Sequence, residues 1–437
     1  MLKEKPVGSY VLAVQTPIYR LSEQSFAVES AFSHHLKQLR EQFAGRISKF
    51  VIIAPEMSEE SYRSSPSLTI IGAESGIDVL PAYPADVSVT AFWTKHAGRI
   101  WREVTARVGD ASVVHSGLAS DLWRPLVAFV NLAAWRCGKP LMFVVDIDFR
   151  KNTKRLRTLG IWSLKSYLTN RFFHDPIRWL QVWLAVRVAK LVLLKSPRMV
   201  RDFGAGRPHV KNFLDTAFST EHVLSADDLD ERIAALHSDD GPLRLVYFGR
   251  LVPYKGLHLA IDAIGIAKAR GKEVQLAIIG DGPSLPDLRR RVEDAGLSAN
   301  ITFMPPVVYG APLFERLSRF HASIACPLTE DTPRAAIDSM ARGLPLVAFD
   351  LDYFEGLAEM SGAVTLARWP SAERLAEALM DVSLERQRLV SQTRHAVEFA
   401  RTNTQQIWLE RRLAWVEEYL LTDPPVLPRQ ERSGAFA

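Results

Sequence analysis

Cysteine is nearly absent from this chain: 437 residues hold only Cys137 and Cys326. That excludes a disulfide framework and a Cys-rich zinc site, and it makes a reducing, cytoplasmic compartment the expected home. Long apolar runs are also missing. None approaches the ~18 residues of a membrane span, and the run that begins at Tyr10 is too short and too early for a signal peptide. The composition has no extremes, at 47% hydrophobic and 24% charged, so disordered, collagen-like and polytopic membrane chains are excluded. At roughly 150 residues per domain, the length suggests two or three domains.

What is present is unevenly placed. Residues 150–201 hold 13 Lys or Arg against one acid, Asp175, for a net of +12 in a chain whose total is +5. The cations interleave with Trp162, Tyr167, Phe172, Phe173, Trp179 and Trp183. Basic and aromatic amphipathic segments lie on anionic bilayers. A nucleic-acid partner needs similar composition, but no binding module accompanies it here. The plainer alternative is a helix pair with a solvated basic face and its aromatics in the core.

Strand and helix signals alternate along the chain. Strands are expected at 10–14, 50–54, 68–71, 112–114 and 141–145, with a helix over 25–43 whose face is Phe32, Leu36, Leu39 and Phe43. The acidic segment 219–241 reads as a linker. Alternation then resumes, with strands at 243–248, 274–279, 301–303, 323–325 and 346–349 and helices near 258–270, 284–295, 311–320 and 333–342. This pattern predicts an α/β chain of two doubly wound Rossmann-like domains, 1–218 and 242–402, with a ligand cleft between them. A C-terminal helix is expected at 403–421 and a mobile tail at 422–437.

Three features fall at strand ends of the second domain. Gly249-Arg250-Leu251-Val252-Pro253-Tyr254-Lys255-Gly256 puts two cations on one loop. Gly280-Asp281-Gly282-Pro283 follows the next strand, its glycines opening a turn near a ligand; it lacks the third glycine of a dinucleotide fingerprint, which disfavours a nicotinamide enzyme. Glu330-Asp331-Thr332-Pro333-Arg334-Ala335-Ala336-Ile337-Asp338 leads to Gly343-Leu344-Pro345. Thr332 suits an N-cap and Pro333 a first helical position, with Gly343 as the stop. A short helix from about 333, opened by Pro333 and continued by Arg334 and Ala335, would turn the free backbone N–H groups of its first turn toward an anion.

These residues resemble the retaining glycosyltransferases of family four, the glycosyl transferases group 1, whose two-domain fold is GT-B. The family pattern of Glu, seven residues, then Glu stands here as Glu330 and Asp338. Gly249-Arg250-Leu251…Lys255-Gly256 and Gly280-Asp281-Gly282-Pro283 match two further motifs in order and spacing. The resemblance implies that Arg250 and Lys255 hold the donor diphosphate, Glu330 the donor sugar and Asp338 the ribose. Fixed cations and helix N–H groups can stabilise a leaving diphosphate without a metal or other cofactor, so the nucleotide-diphosphate sugar enters as substrate alone.

In the first half, Val113-Val114-His115 resembles the family's strand-end D-V-V-H, which places His115 in the cleft. Asp146 stands after Gly138-Lys139-Pro140 and its strand, where the family often has a histidine, and is the candidate to orient the donor sugar or acceptor. Asp146-Ile147-Asp148 and Asp350-Leu351-Asp352 both read D-x-D, a metal motif of another transferase fold and common by chance. The expectation is transfer of a sugar to a glycan or lipid-linked acceptor at the inner face of a membrane, in cell-surface polysaccharide or glycolipid synthesis. The alternative is a non-catalytic nucleotide-sugar-binding protein of the same fold.

Overall fold

The computed structural model describes residues 8–22, 25–43, 45–65 and 68–421. The tail expected to be mobile lies outside the described residues. The strands, in chain order, are Ser9–Ala13 (β1), Tyr19–Arg20 (β2), Phe26–Glu29 (β3), Lys49–Glu56 (β4), Leu68–Ile71 (β5), Ile77–Pro84 (β6), Ala111–Gly117 (β7), Leu141–Val145 (β8), Leu191–Leu194 (β9) and Val210–Asn212 (β10) in the first half. The second half has Leu243–Phe248 (β11), Val274–Ile279 (β12), Ile301–Met304 (β13), Ala322–Ala325 (β14), Leu346–Phe349 (β15) and Val364–Ala367 (β16).

Two parallel sheets result. One runs β10-β9-β8-β7-β1-β4-β6 and the other β13-β12-β11-β14-β15-β16. In each, the chain starts near the middle, winds one way, then returns to wind the other. The switch points lie beside β1 and β7 in one sheet and beside β11 and β14 in the other, where such sheets bind ligands. Strands β9, β14 and β15 are buried at every residue, because helices cover both faces of a parallel sheet. This is the GT-B architecture of two Rossmann-like domains.

The strand at 68–71 forms, but in a small antiparallel sheet β2-β3-β5 rather than in the main sheet. The helix expected over 25–43 is Ser30–Gln42, preceded by β3. Phe26, Ala27 and Val28 are all buried, so a three-residue apolar run suited the strand better than the helix period. The acidic segment at 219–241 is not an open linker. It holds the helix Ala226–Ser238, capped by Ser225 and seated through Leu229, Ile233 and Leu236. Burying three large side chains at about 1.5–3 kcal/mol each outweighs the solvation preference of its acidic face.

The last helix, Gln405–Val416, and its continuation to Leu421 return to the first domain. Gln405 N donates to Phe218 O at 2.9 Å, Gln42 Nε2 to Leu409 O at 2.6 Å, and Tyr419 hydroxyl to Pro208 O at 3.1 Å. No helix among the described residues is long and apolar enough to cross a membrane.

Candidate functional site

The loop after β11 is shaped by its glycines. Gly256 has φ +68°, and a Cβ there would lie 2.0 Å from Cys326 O at the end of β14. Gly280 sits at φ +153° with its virtual Cβ 2.0 Å from Gly249 O, and Gly282 meets Leu251 O at 2.4 Å. Backbone cannot yield as a flexible side chain can, so larger residues would push these loops apart. Leu251 N donates to Asp281 O at 2.9 Å and Ser284 N to Leu251 O at 3.0 Å. Gly280 and Gly282 therefore brace the Arg250 loop from behind; they do not line the cavity that the loop borders.

That cavity, ≈ 400 Å³, opens beyond the ends of β11 and β14. Arg250, Lys255, Asp331, Pro333, Arg334 and Ala335 line it. Arg250 is exposed. Lys255 is more enclosed, and its Nζ lies 2.5 Å from Oδ2 of Asp331, with side chains 14% and 17% exposed. Asp331 is thus the acid that faces the cation pair. Sequence reasoning quoted it but assigned it no role.

The helix begins one residue later than expected. Pro333 is the N-cap with extended backbone, and the helix runs Arg334–Asp338 before tightening through Ser339–Arg342. Thr332 makes no side-chain cap, because Pro333 holds the position a capping side chain would serve. Gly343, at φ +65°, ends it as expected. Arg334 points to Asp215 of the first domain at 3.7 Å.

The two family acids lie away from this cavity's lining. Asp338 is 2% exposed. Burial pushes its carboxyl up to about 7, against Arg334 and hydrogen bonds from the Tyr309 hydroxyl and Ala217 N–H. Glu330 is 5% exposed at the joint between the domains. It accepts from Arg155 of the first domain, from Asp352 N at 2.9 Å and from Tyr353 N at 3.4 Å. Burial and the Asp352 carboxylate push it up, while Arg155 and the N–H groups pull it down.

A second cavity of ≈ 740 Å³ lies on the first-domain side. His115, His35, Asp146, Asn152, Trp162, Arg178, Lys195 and Asp215 are among its walls. So the structure brings His115 and Asp146 together, at the ends of adjacent strands. His115 Nδ1 lies 2.7 Å from the Tyr10 hydroxyl. Burial drops its imidazole to about 3, so the ring is neutral at physiological pH. His35, which no sequence motif marked, shares this wall and is also held low by burial.

The D-x-D pairs have other occupations. Asp148 accepts from Arg150 Nε at 2.8 Å and Nη2 at 2.6 Å. Asp350 accepts from Trp369 N at 2.7 Å, and Asp352 is surrounded by Lys151, Arg155 and Arg198. Among the described residues, no group of three or more His, Cys, Asp or Glu could hold a metal ion.

Residues 228–400 match the model of the family Glycosyl transferases group 1. The second domain belongs to the glycosyl transferases group 1. The chain is 29% identical over 205 residues to an alpha-D-kanosaminyltransferase of Streptomyces kanamyceticus, covering 42% of this chain and 49% of that one. It is 23% identical over 230 residues to an alpha-monoglucosyldiacylglycerol synthase of Streptococcus pneumoniae, covering 50% and 48%. The chain therefore spans about half the length of these curated relatives. In fold it is similar to Anabaena Alr3699/HepE, solved with UDP, at TM-score 0.60 and 14% identity, covering 94% of this chain and 100% of that one. Asp338 shortens the second acid of the family pattern, and Asp331 sets a further acid beside Lys255.

The basic stretch is where expectation and structure differ most. Arg150 is tied to Asp148 and Asp202, Lys151 to Asp352, and Arg201 to Glu359. Much of the charge is thus spent within the protein, partly across the domain joint. The aromatics are not in the core either: Phe172 is 74% exposed, and Phe173 and Trp179 are about half exposed. Trp123 stacks on Phe173 at 6.0 Å and its carbonyl accepts from Trp93 Nε1 at 3.0 Å, which joins Trp93, Trp123 and Phe173 into one surface patch.

Proposed function

We propose that the chain is a glycosyltransferase that moves a sugar from a nucleotide-diphosphate donor to a glycan or lipid-linked acceptor, with retention of configuration. The observation that carries this is the cavity bordered by Arg250, Lys255 and the start of the helix Arg334–Asp338. Breaking a glycosyl–phosphate bond leaves charge on the departing diphosphate, and fixed cations in a partly dry site stabilise that charge as it develops. The Anabaena neighbour, solved with UDP, makes UDP the first probe. The acceptor enters from the ≈ 740 Å³ cavity, where Asp146 and His115 stand. Lys255 and Arg250 take the part a metal plays elsewhere, so turnover should persist in EDTA.

The apolar patch at Trp93, Trp123 and Phe173, with exposed Phe172 and the cation Arg171 next to Phe173 along the chain, fits the inner, anionic face of a membrane. The pneumococcal relative, named for a glycolipid, supports a lipid-linked acceptor. Synthesis of a cell-surface polysaccharide or glycolipid is the process proposed on that reading.

A melting-temperature panel of UDP, GDP and ADP and their sugars tests the reading. A ligand at 100 times its Kd adds about 2.7 kcal/mol. A shift with one nucleotide plus donor turnover supports the transferase. Binding without turnover or hydrolysis supports the second reading, a non-catalytic binding protein, which the acid pressed against Lys255 favours. No shift across the panel refutes both.

A further inference from the structure

The carboxyl ends of four neighbouring first-domain strands gather a set of charges that the donor does not use. β7 carries Ser116, β8 is followed by Asp146, β9 by Lys195 and β10 by Phe213. Lys195 N donates to Val145 O at 3.0 Å, which sets Lys195 beside Asp146, and Phe213 N donates to Leu194 O at 3.3 Å. Lys195 is 7% exposed, yet it is a wall of the ≈ 740 Å³ cavity. Its Nζ makes no hydrogen bond among the described residues; its ion partner is Asp215, with Oδ2 3.8 Å away. The ammonium lies 5.6 Å from the centre of the Phe213 ring, and the Arg412 guanidinium, from the last helix, lies 5.6 Å from the same ring. Arg412 lines a smaller cavity of ≈ 90 Å³ that shares the walls His115, Asp146 and Asp215 with the large one.

The protein does not satisfy these groups by itself. Two cations share one ring, and the acid between the domains is also claimed by Arg334 at 3.7 Å. Burial works to raise the Asp215 carboxyl, but Lys195, Arg334 and Arg412 together hold it below its ordinary value, so one carboxylate serves three cations. A buried ammonium needs acceptors for its donors as well as a counter-charge, and a carboxylate at 3.8 Å supplies only the second. The same cavity has buried polar atoms with no hydrogen-bond partner: Gln15 Nε2, Ser116 Oγ and Asn152 Oδ1, with Ser116 2% exposed. Buried polar atoms are nearly always paired, so these ask for hydroxyl groups from a ligand. Arg250 and Lys255 border the other cavity and not this one, so the donor diphosphate leaves Lys195 and Arg412 free.

We infer that the acceptor is a phosphate-bearing polyol, its phosphate held by Lys195 and Arg412 and its hydroxyls met by Gln15, Ser116 and Asn152. This rests on the transferase reading, in which the acceptor enters the ≈ 740 Å³ cavity. A phosphate offers three or more oxygens, enough for an ammonium that binds as a point charge and a guanidinium that binds through a planar fork. A free sugar or polyol phosphate and the glycerophosphate headgroup of a lipid present the same chemistry to these residues.

The test uses the full chain saturated with UDP, so that added phosphates cannot occupy the donor cavity, and calorimetry with probe pairs that differ in a phosphate. The pairs are glucose and glucose 6-phosphate, glycerol and glycerol 3-phosphate, and diacylglycerol and phosphatidylglycerol in neutral detergent micelles. In at least one pair the phosphate member should bind at least tenfold tighter. Lys195→Met should bring that pair close to parity, Lys195→Arg should keep most of the preference, and Arg412→Met should reduce it at least threefold. Preference in the soluble pairs identifies a free phosphorylated polyol, and preference confined to the micelle pair identifies a lipid headgroup. Should Lys195→Met fail to fold, Arg412→Met, altered at a partly exposed side chain, carries the test. No preference in any pair overturns the inference, as does a preference that survives in both Met variants while the melting temperature falls, since Lys195 would then only brace the strand ends. If wild type does not bind UDP, the transferase reading fails first; if it binds UDP and treats the pairs alike, this inference alone fails.

Discussion

Asp331 and Lys255 form a pair that any diphosphate must disturb. The Nζ–Oδ2 distance is 2.5 Å and both side chains are about one-sixth exposed. An incoming phosphate attracted to Lys255 is repelled by Asp331. With ~6 Å between carboxylate and phosphate and an effective dielectric near 20, that repulsion is roughly 3 kcal/mol before screening. Partial exposure and salt reduce it, which leaves an expected gain of about tenfold in UDP affinity for Asp331→Asn. The same change deprives Lys255 of its partner in the free protein and should lower the melting temperature, with UDP restoring more than it does in wild type. Lys255→Met should do the opposite, weakening UDP by ~10²-fold because the cation is lost and the acid remains. In Lys255→Met/Asp331→Asn, affinity should recover partly, and calorimetry on the four proteins gives the coupling directly. If Asp331→Asn weakens UDP as much as Lys255→Met does, Asp331 supports the binding conformation of Lys255 instead of competing with phosphate, and the electrostatic argument is refuted.

Three further outcomes are expected. Arg250→Ala should lower donor turnover by ~10²-fold or more with little change in melting temperature, since the residue is exposed; unchanged kinetics would remove it from the site. Burial raises Asp338 from its ordinary value near 4 to about 7, so the folded chain holds a proton that the unfolded chain releases across that window. Its contribution to stability is present below pH 4 and lost as pH rises toward 7, by roughly 4 kcal/mol at most. Asp338→Asn should therefore melt above wild type at pH 8 and close to it at pH 4; a variant that melts lower at both contradicts this. Phe172→Ser with Phe173→Ser should weaken sedimentation with anionic vesicles by ~10-fold or more, because each ring can bury about 1.5–3 kcal/mol of apolar surface, while UDP binding stays unchanged. Equal sedimentation of variant and wild type would discard the patch as a docking face. The cluster Arg150, Lys151 and Arg155 is unsuited to that experiment, since these residues pair with carboxylates inside the protein.

The sequence by itself determined what depends on neighbours along the chain. Strands at 141–145, 243–248, 274–279 and 346–349 form at the expected residues, because short, largely apolar runs between turn residues have few other uses in a parallel sheet. The glycines around Arg250 were legible for a related reason: a turn with positive φ is a local demand that glycine meets best, although the backbone each one approaches is distant in sequence. Sequence also marked Arg250 and Lys255, whose spacing is set by one loop. Edge strands such as Val364–Ala367 and Val210–Asn212 escaped, being short and weakly patterned. Tertiary structure alone decided which charges are spent and which are free. A run of cations looks alike in sequence whether it faces solvent or carboxylates more than 150 positions away, as Arg155 faces Glu330. Nor does a helical period say which of two apolar faces a neighbouring element covers, and so Phe172 and Phe173 stand outside. Charge pairing and exposure are properties of the packed domains, fixed only when desolvation and distance are known.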